Sequence, residues 1–242
     1  MTTFQAILCL AISLMAVVAE GSPMQSNAPL NRFWKHIAEE HAGLDDEQSG
    51  LDRFNDIQKC MQDKLSNEDI LKLEEHTTPT IIDTLEDTHT RTILVEVGNA
   101  ISPIQAQAIN HLAECTQASF PETRFQHRDF TQTSGGNDCT FINTLLQLFL
   151  PQVYNNVVHI TEMAYEEGEW GSQLDLPHPE ECGLRTYEYL SYGEFKALGK
   201  HVDGGSIYTT IFALSDSESY EGGEYYIIPR DQPNNDKQYF FK

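Results

Sequence analysis

Positive charge is scarce in this chain: 15 Lys and Arg stand against 37 Asp and Glu, a formal charge of −22 over 242 residues. A surface of that sign repels a phosphate backbone instead of neutralising it, which excludes nucleic acid as a default partner and anionic membrane surfaces with it. Long apolar runs are also missing, with one exception at the amino terminus. Phe4 to Ala19 (FQAILCLAISLMAVVA) is interrupted only by Gln5 and Ser13. It falls short of the ~20 apolar residues that a spanning helix wants, so no membrane span is expected in the mature chain. Its Val17-Val18-Ala19 end, followed by Glu20-Gly21-Ser22-Pro23, fits signal-peptidase cleavage. The competing reading is a buried N-terminal helix, because no Lys or Arg precedes the run. A signal peptide over residues 1–19 places the chain in the secretory pathway, in the endoplasmic reticulum lumen or outside the cell.

Cysteine is sparse as well. Of the five, Cys9 leaves with the leader, and Cys60, Cys115, Cys139 and Cys182 remain. An even number in an oxidising compartment allows two disulfides in any of three pairings, or four small buried residues. No pair has CxxC or zinc-knuckle spacing, so a thiolate metal site is not expected. There is no internal repeat, no low-complexity tract and no glycine-rich nucleotide loop.

Residues 20–90 form an acidic extension with helical patterning. Phe54, Ile57, Met61 and Leu65 recur at the steps that place side chains on one helix face, and Ser66 with Asp69 reads as a helix start before Ile70, Leu71 and Leu73. The extension is expected to be peripheral. A domain over residues 91–242 follows. Thr92 to Val97 is a β-branched run ended by Gly98-Asn99, and Ser102-Pro103-Ile104-Gln105 opens a helix with Ile104, Ala108, Leu112 and Cys115 on one face. Helix continues from about Phe141 to Tyr165, kinked or split at Pro151. Leu184 to Tyr192, Ser206 to Leu214 and Glu224 to Ile228 then read as strands. Helices first and strands afterwards predict an α+β fold with helices packed on one side of a sheet.

His-x-Asp occurs twice. His127-Arg128-Asp129 imitates a protein-kinase catalytic loop but has Ser134 where a magnesium-holding Asn belongs, and it is read as a polar loop. His201-Val202-Asp203 differs in context, since a tyrosine-rich strand precedes it and a β-branched strand follows. Residues two apart on an extended chain project to one side, so imidazole and carboxylate can present two adjacent vertices of the 2-His-1-carboxylate arrangement that holds non-haem Fe(II). His178, flanked by prolines, is read as a surface residue, and Gly222-Gly223 as a turn.

Arg185-Thr-Tyr-Glu-Tyr-Leu-Ser-Tyr-Gly193, Leu198-Gly-Lys-His-Val-Asp203, Thr209 to Asp216 and Tyr220-Glu-Gly-Gly-Glu-Tyr225 together resemble the prolyl 4-hydroxylase-like group of 2-oxoglutarate/Fe(II) oxygenases. The likeness is specific over residues 185–228, loose over 92–116 and silent on 20–90. It implies a double-stranded β-helix, a jelly-roll of two facing sheets with flanking helices and iron at one mouth. It implies His201 and Asp203 as iron ligands, Tyr189 as a hydrogen-bond donor to the 2-oxoglutarate carboxylate and Thr209 as a wall residue of the same pocket. Fe(II) is then the metal, 2-oxoglutarate the co-substrate, ascorbate the accessory reductant, and a peptide or protein, prolyl by the family's example, the substrate to be hydroxylated.

The family's third ligand, a His well downstream followed by Arg or Lys, has no counterpart, because no His follows His201 and Arg230 comes too soon after Gly223. The chain is therefore expected to be a C-terminally truncated oxygenase with an incomplete jelly-roll that binds iron weakly and turns over little. An upstream ligand, His159 or His178, would need a different topology. The rival reading is a secreted, non-catalytic interaction module on a degenerate jelly-roll.

Overall fold

The computed structural model describes residues 5–12, 47–75, 77–86, 89, 91–120, 124–126, 138–182, 184–192, 206–221, 225–227 and 239–241. Among these, helices and small antiparallel sheets mix in a way compatible with an α+β fold. The helices are α1 (Glu47–Lys64), α2 (Asn67–Lys72), α3 (Pro103–Ser119), α4 (Asn143–Phe149), α5 (Pro151–Glu167) and α6 (Trp170–Leu174). The strands are β1 (Gln5–Ile12), β2 (Thr80–Glu86), β3 (Thr92–Gly98), β4 (Arg124–Gln126), β5 (Asp138–Phe141), β6 (Leu184–Tyr192), β7 (Tyr208–Ala213), β8 (Tyr225–Ile227) and β9 (Tyr239–Phe241).

Helix α3 starts where its sequence says it should. Ser102 Oγ accepts from the Gln105 amide at 3.2 Å while Gln105 Oε1 accepts from the Ser102 amide at 3.0 Å, and Pro103 takes the first turn, where no amide is missed. The same Gln105 is buried and donates through Nε2 to the Leu73 carbonyl at 3.4 Å, so the cap also fastens the chain that leaves α2. Ser102→Ala is expected to cost about 1 kcal/mol of stability, read as a lowered denaturation midpoint with an unchanged helical spectrum. Pro151 splits the expected long helix: α4 ends at Phe149, Leu150 leaves the helical region with ψ 58°, and Pro151 sits in the first turn of α5.

The helices form one layer. Ile109, Leu112 and Ala113 of α3, Leu145 and Leu146 of α4 and Val153 and Val157 of α5 are fully buried and share a core with Tyr187, Tyr189, Tyr208 and Phe212 of β6 and β7. Ile57 and Met61 of α1, with Leu65 just past its end, enter that same core, and the Cys60–Cys115 disulfide ties α1 to α3. The acidic segment is thus not peripheral where the structure describes it. Residues 80–86, expected to be helical, are strand: β2 carries Thr80, Ile81, Ile82 and Thr84, β-branched residues that fit a pleated surface, and it pairs antiparallel with β3. Trp170 of α6 donates through Nε1 to the Thr92 carbonyl at 2.6 Å, and Gln173 Oε1 accepts from the Thr92 amide at 3.2 Å, which pins this hairpin to the helical layer.

The main sheet has the order β4-β5-β6-β1-β7, every neighbouring pair antiparallel. Its fourth strand, next to the edge strand β7, is the N-terminal apolar segment, for which the sequence predicts a leader or a buried helix. Gln5–Ile12 is a strand here, paired on one side with β6 and on the other with β7. A strand antiparallel to two neighbours makes those neighbours parallel to each other, so β6 and β7 run in the same direction with one strand between them.

Candidate functional site

The chain leaves β6 at Tyr192 and returns to the sheet at Tyr208, and His201-Val202-Asp203 lies on this connection, outside the described residues. His127 and Asp129 are outside them too. What the structure describes are the two strands that bracket the motif, and their registers decide which side chains can share a pocket.

Thr140 of β5 stands opposite Tyr189, Tyr189 opposite position 8 of β1, and position 8 opposite Phe212 of β7. That row faces the helices: Gln117 of α3 donates to Thr140 Oγ1 at 2.6 Å, and Tyr189 and Phe212 are buried in the helical core. Thr210, two positions before Phe212, meets Thr161 of α5 at 3.1 Å between hydroxyl oxygens. Thr209 is three positions from Phe212 and therefore projects from the opposite face, where it is exposed. The structure does not bring Tyr189 and Thr209 together. On the face of Thr209, β6 offers Thr186, Glu188, Leu190 and Tyr192, and β5 offers the buried Cys139.

Tyr189 has the properties of a core tyrosine. Burial, and next the charge of Glu114, push its phenol up to about 12. The tyrosine of β6 that shares the Thr209 face is Tyr192, at the strand end from which the chain departs toward His201. Sequence reading passed over it because apolar and aromatic residues occur on both faces of β6: Tyr187 and Tyr189 look one way, Leu190 and Tyr192 the other. Period-2 alternation, which would have sorted them, is blurred when both faces of a strand carry large side chains.

The raised phenols have a consequence for stability. A tyrosine whose folded pKa exceeds its ordinary value of about 10 stabilises the fold fully below that value, and the contribution is lost as pH rises through the folded pKa. For Tyr189 the window runs from ~10 to about 12. Buried Tyr187, with its phenol also shifted up by burial and then by Tyr154, adds to the same loss. The denaturation midpoint is expected to fall steadily across this window and less steeply in Tyr189→Phe; an equal slope in that variant would contradict it.

The two upstream histidines sit elsewhere. His159 Nδ1 lies 3.8 Å from Glu162 Oε2 on α5, and His178 Nε2 lies 3.7 Å from Glu166 Oε1. His178 Nδ1 accepts from the Glu180 amide at 3.3 Å and so caps the short 3-10 turn Pro179–Glu181. Both histidines line an open cleft of about 540 Å3 with Ile81, Glu162, Met163, Glu166 and Glu167. Among the described residues no group of three or more His, Cys, Asp or Glu could hold a metal ion, and no helix is long and apolar enough to cross a membrane.

Of the four cysteines after residue 19, the structure joins one pair, Cys60–Cys115, which is neither the two bridges nor the four buried thiols that the sequence allows. Cys139 and Cys182 remain thiols, the latter held above its ordinary pKa by burial and then by Glu181. No family model, curated protein or solved structure matches this chain.

Proposed function

We propose that the chain is a 2-oxoglutarate- and Fe(II)-dependent dioxygenase of the prolyl 4-hydroxylase-like type, acting on a peptidyl, prolyl-containing substrate in the secretory pathway with ascorbate as accessory reductant. The observation that carries this reading is the relation of β6 to β7. A chain that alternates between two facing sheets returns every second strand to the same sheet in the same direction. Parallel β6 and β7, joined by residues 193–207, are what such alternation produces, and they support a jelly-roll. The His-x-Asp pair then falls within that connection, between Tyr192 and Tyr208 in the sequence. The compartment is supported by the Cys60–Cys115 bridge, since disulfides persist where the surroundings oxidise.

His201 and Asp203 would hold the metal, which supplies open positions for a chelating keto acid and oxygen. Tyr192 and Thr209 fit a polar wall beside it better than Tyr189, whose hydroxyl is turned toward the helices. In the family the co-substrate carboxylate takes hydrogen bonds from such groups, and a neutral tyrosine or threonine hydroxyl can donate one. With two protein ligands, affinity for Fe(II) is expected to be weak.

Anaerobic titration of the chain with Fe(II), alone and with 2-oxoglutarate, tests the reading. Binding at one equivalent should strengthen with 2-oxoglutarate and weaken by roughly tenfold or more in His201→Ala and in Asp203→Ala. Equal binding by the parent and both variants would remove the metal centre, and the hydroxylase with it.

A further inference from the structure

We propose that the gap between β6 and β7 is a strand-acceptor site, which binds an extended apolar peptide by backbone pairing along both of its edges. Gln5–Ile12 is the occupant in this structure. All its positions have register partners in β6, and Ile7 to Ile12 have partners in β7 as well. Because each antiparallel neighbour stands about 4.8 Å away, β6 and β7 are roughly 10 Å apart and cannot pair with each other across the space. Without the inserted strand both would present open rows of amides and carbonyls toward it, between the edge strand β7 and the rest of the sheet.

The register states the chemistry of the ligand. Positions 8, 10 and 12 of the inserted strand stand opposite Tyr189, Tyr187 and Tyr208, all buried on the helix side, and position 8 also stands opposite Phe212. Positions 7, 9 and 11 stand opposite Leu190, Glu188 and Thr186 of β6 and Ala213, Ile211 and Thr209 of β7. A fitting peptide is therefore extended over about eight residues, apolar at alternate positions on the helix side and free of proline, which lacks the amide that a central strand must donate. QAILCLAI, with no charge and no proline, meets these requirements.

The apolar run that contains it ends, at Val17-Val18-Ala19, in the features of a cleavable leader. A cut after Ala19 would leave it held only by pairing and packing, and so turn a covalent strand into an exchangeable ligand. The site is independent of iron: it rests on strand order and register, and it stands whether or not His201 and Asp203 bind a metal.

The test uses the full chain with a specific protease sequence inserted after Ala19, folded first and cut afterwards. The 1–19 fragment should co-elute with the remainder and exchange slowly for a labelled synthetic peptide of residues 3–14. The same peptide with Leu8→Pro should exchange at least tenfold less. If the fragment leaves and the remainder loses the slow amide exchange of Thr186 to Tyr192 and Tyr208 to Ala213, or precipitates, the site is likewise upheld, because the open edges cannot stand alone. Departure of the fragment with those amides still protected would overturn the proposal. So would equal exchange by the Leu8→Pro peptide.

Discussion

Replacing both Cys60 and Cys115 with alanine is expected to lower stability by about 4 kcal/mol, or roughly 8–16 °C in Tm for a chain of this size. The bridge closes a loop with a sequence separation of 55, and cross-linking two points that far apart removes a large share of the conformations open to the unfolded chain. The folded state shows how much hangs on it. Cys115 is fully buried on α3, and Ile57 and Met61 of α1, with Leu65 just past its end, belong to the same core. The nearby Lys64–Glu114 ion pair, 2.7 Å long but with both side chains at least a third exposed, is worth too little to hold α1 in place. Thermal melts of the parent with and without reductant should show the same displacement as the double variant. No difference between reduced and oxidised parent would mean that the two helices dock through packing alone.

The consequence reaches past stability. In a compartment that keeps thiols reduced, α1 would depend on its apolar stripe alone, and the segment before residue 75 would separate from the α3 face more readily. The bridge and the leader-like segment thus bear on one another: a disulfide persists where the surroundings oxidise, and a cut after Ala19 would sever β1 from the rest of the chain while leaving it paired with β6 and β7. The strand exchange proposed for the β6–β7 gap would then act on a strand no longer joined to the chain by a peptide bond.

Which parts of this structure could be read from the sequence follows from how local their causes are. The start of α3 was legible because its cap is a local device, Ser102 and Gln105 exchanging hydrogen bonds across four residues. The break at Pro151 was legible for a like reason: a ring without an amide cannot continue a helix. The place of β1 was not legible, because an unbroken apolar run has no period of its own and its partners lie at residues 184–192 and 208–213, far along the chain. β2 was missed for want of alternation, its Ile82 being exposed and its Leu85 buried across an irregular register with β3. That Tyr189 and Thr209 stand on opposite faces of the sheet is a question of parity, which only the registers answer. His201 and Asp203 themselves fall outside the described residues, so the proposed metal centre rests on their spacing in the sequence and on the strands to either side.

Tyr208→Ala is expected to be the most damaging single change in the strand that follows the His-x-Asp pair, at about 3–5 kcal/mol, the range for truncating a buried aromatic. Tyr208 is the first residue of β7, where the connection carrying the His-x-Asp pair re-enters the sheet. Its ring stacks on Trp170 at 5.5 Å and meets Tyr165 edge-on at 6.2 Å, and its hydroxyl donates to the Pro177 carbonyl at 2.6 Å. Through Trp170 it joins the hairpin β2–β3, and through Pro177 the segment that follows α6. Tyr208→Phe keeps the ring and loses only the hydrogen bond, leaving the Pro177 carbonyl in need of a partner, and should cost about 1–2 kcal/mol. The pair of variants therefore separates packing from hydrogen bonding by urea denaturation. It also separates scaffold from site, because in Tyr208→Phe the β7 start stays in place and Fe(II) affinity should stay within a factor of two of the parent, whereas Tyr208→Ala should weaken both together. A Tyr208→Ala chain that keeps full stability would show that β7 is positioned by something other than this aromatic stack.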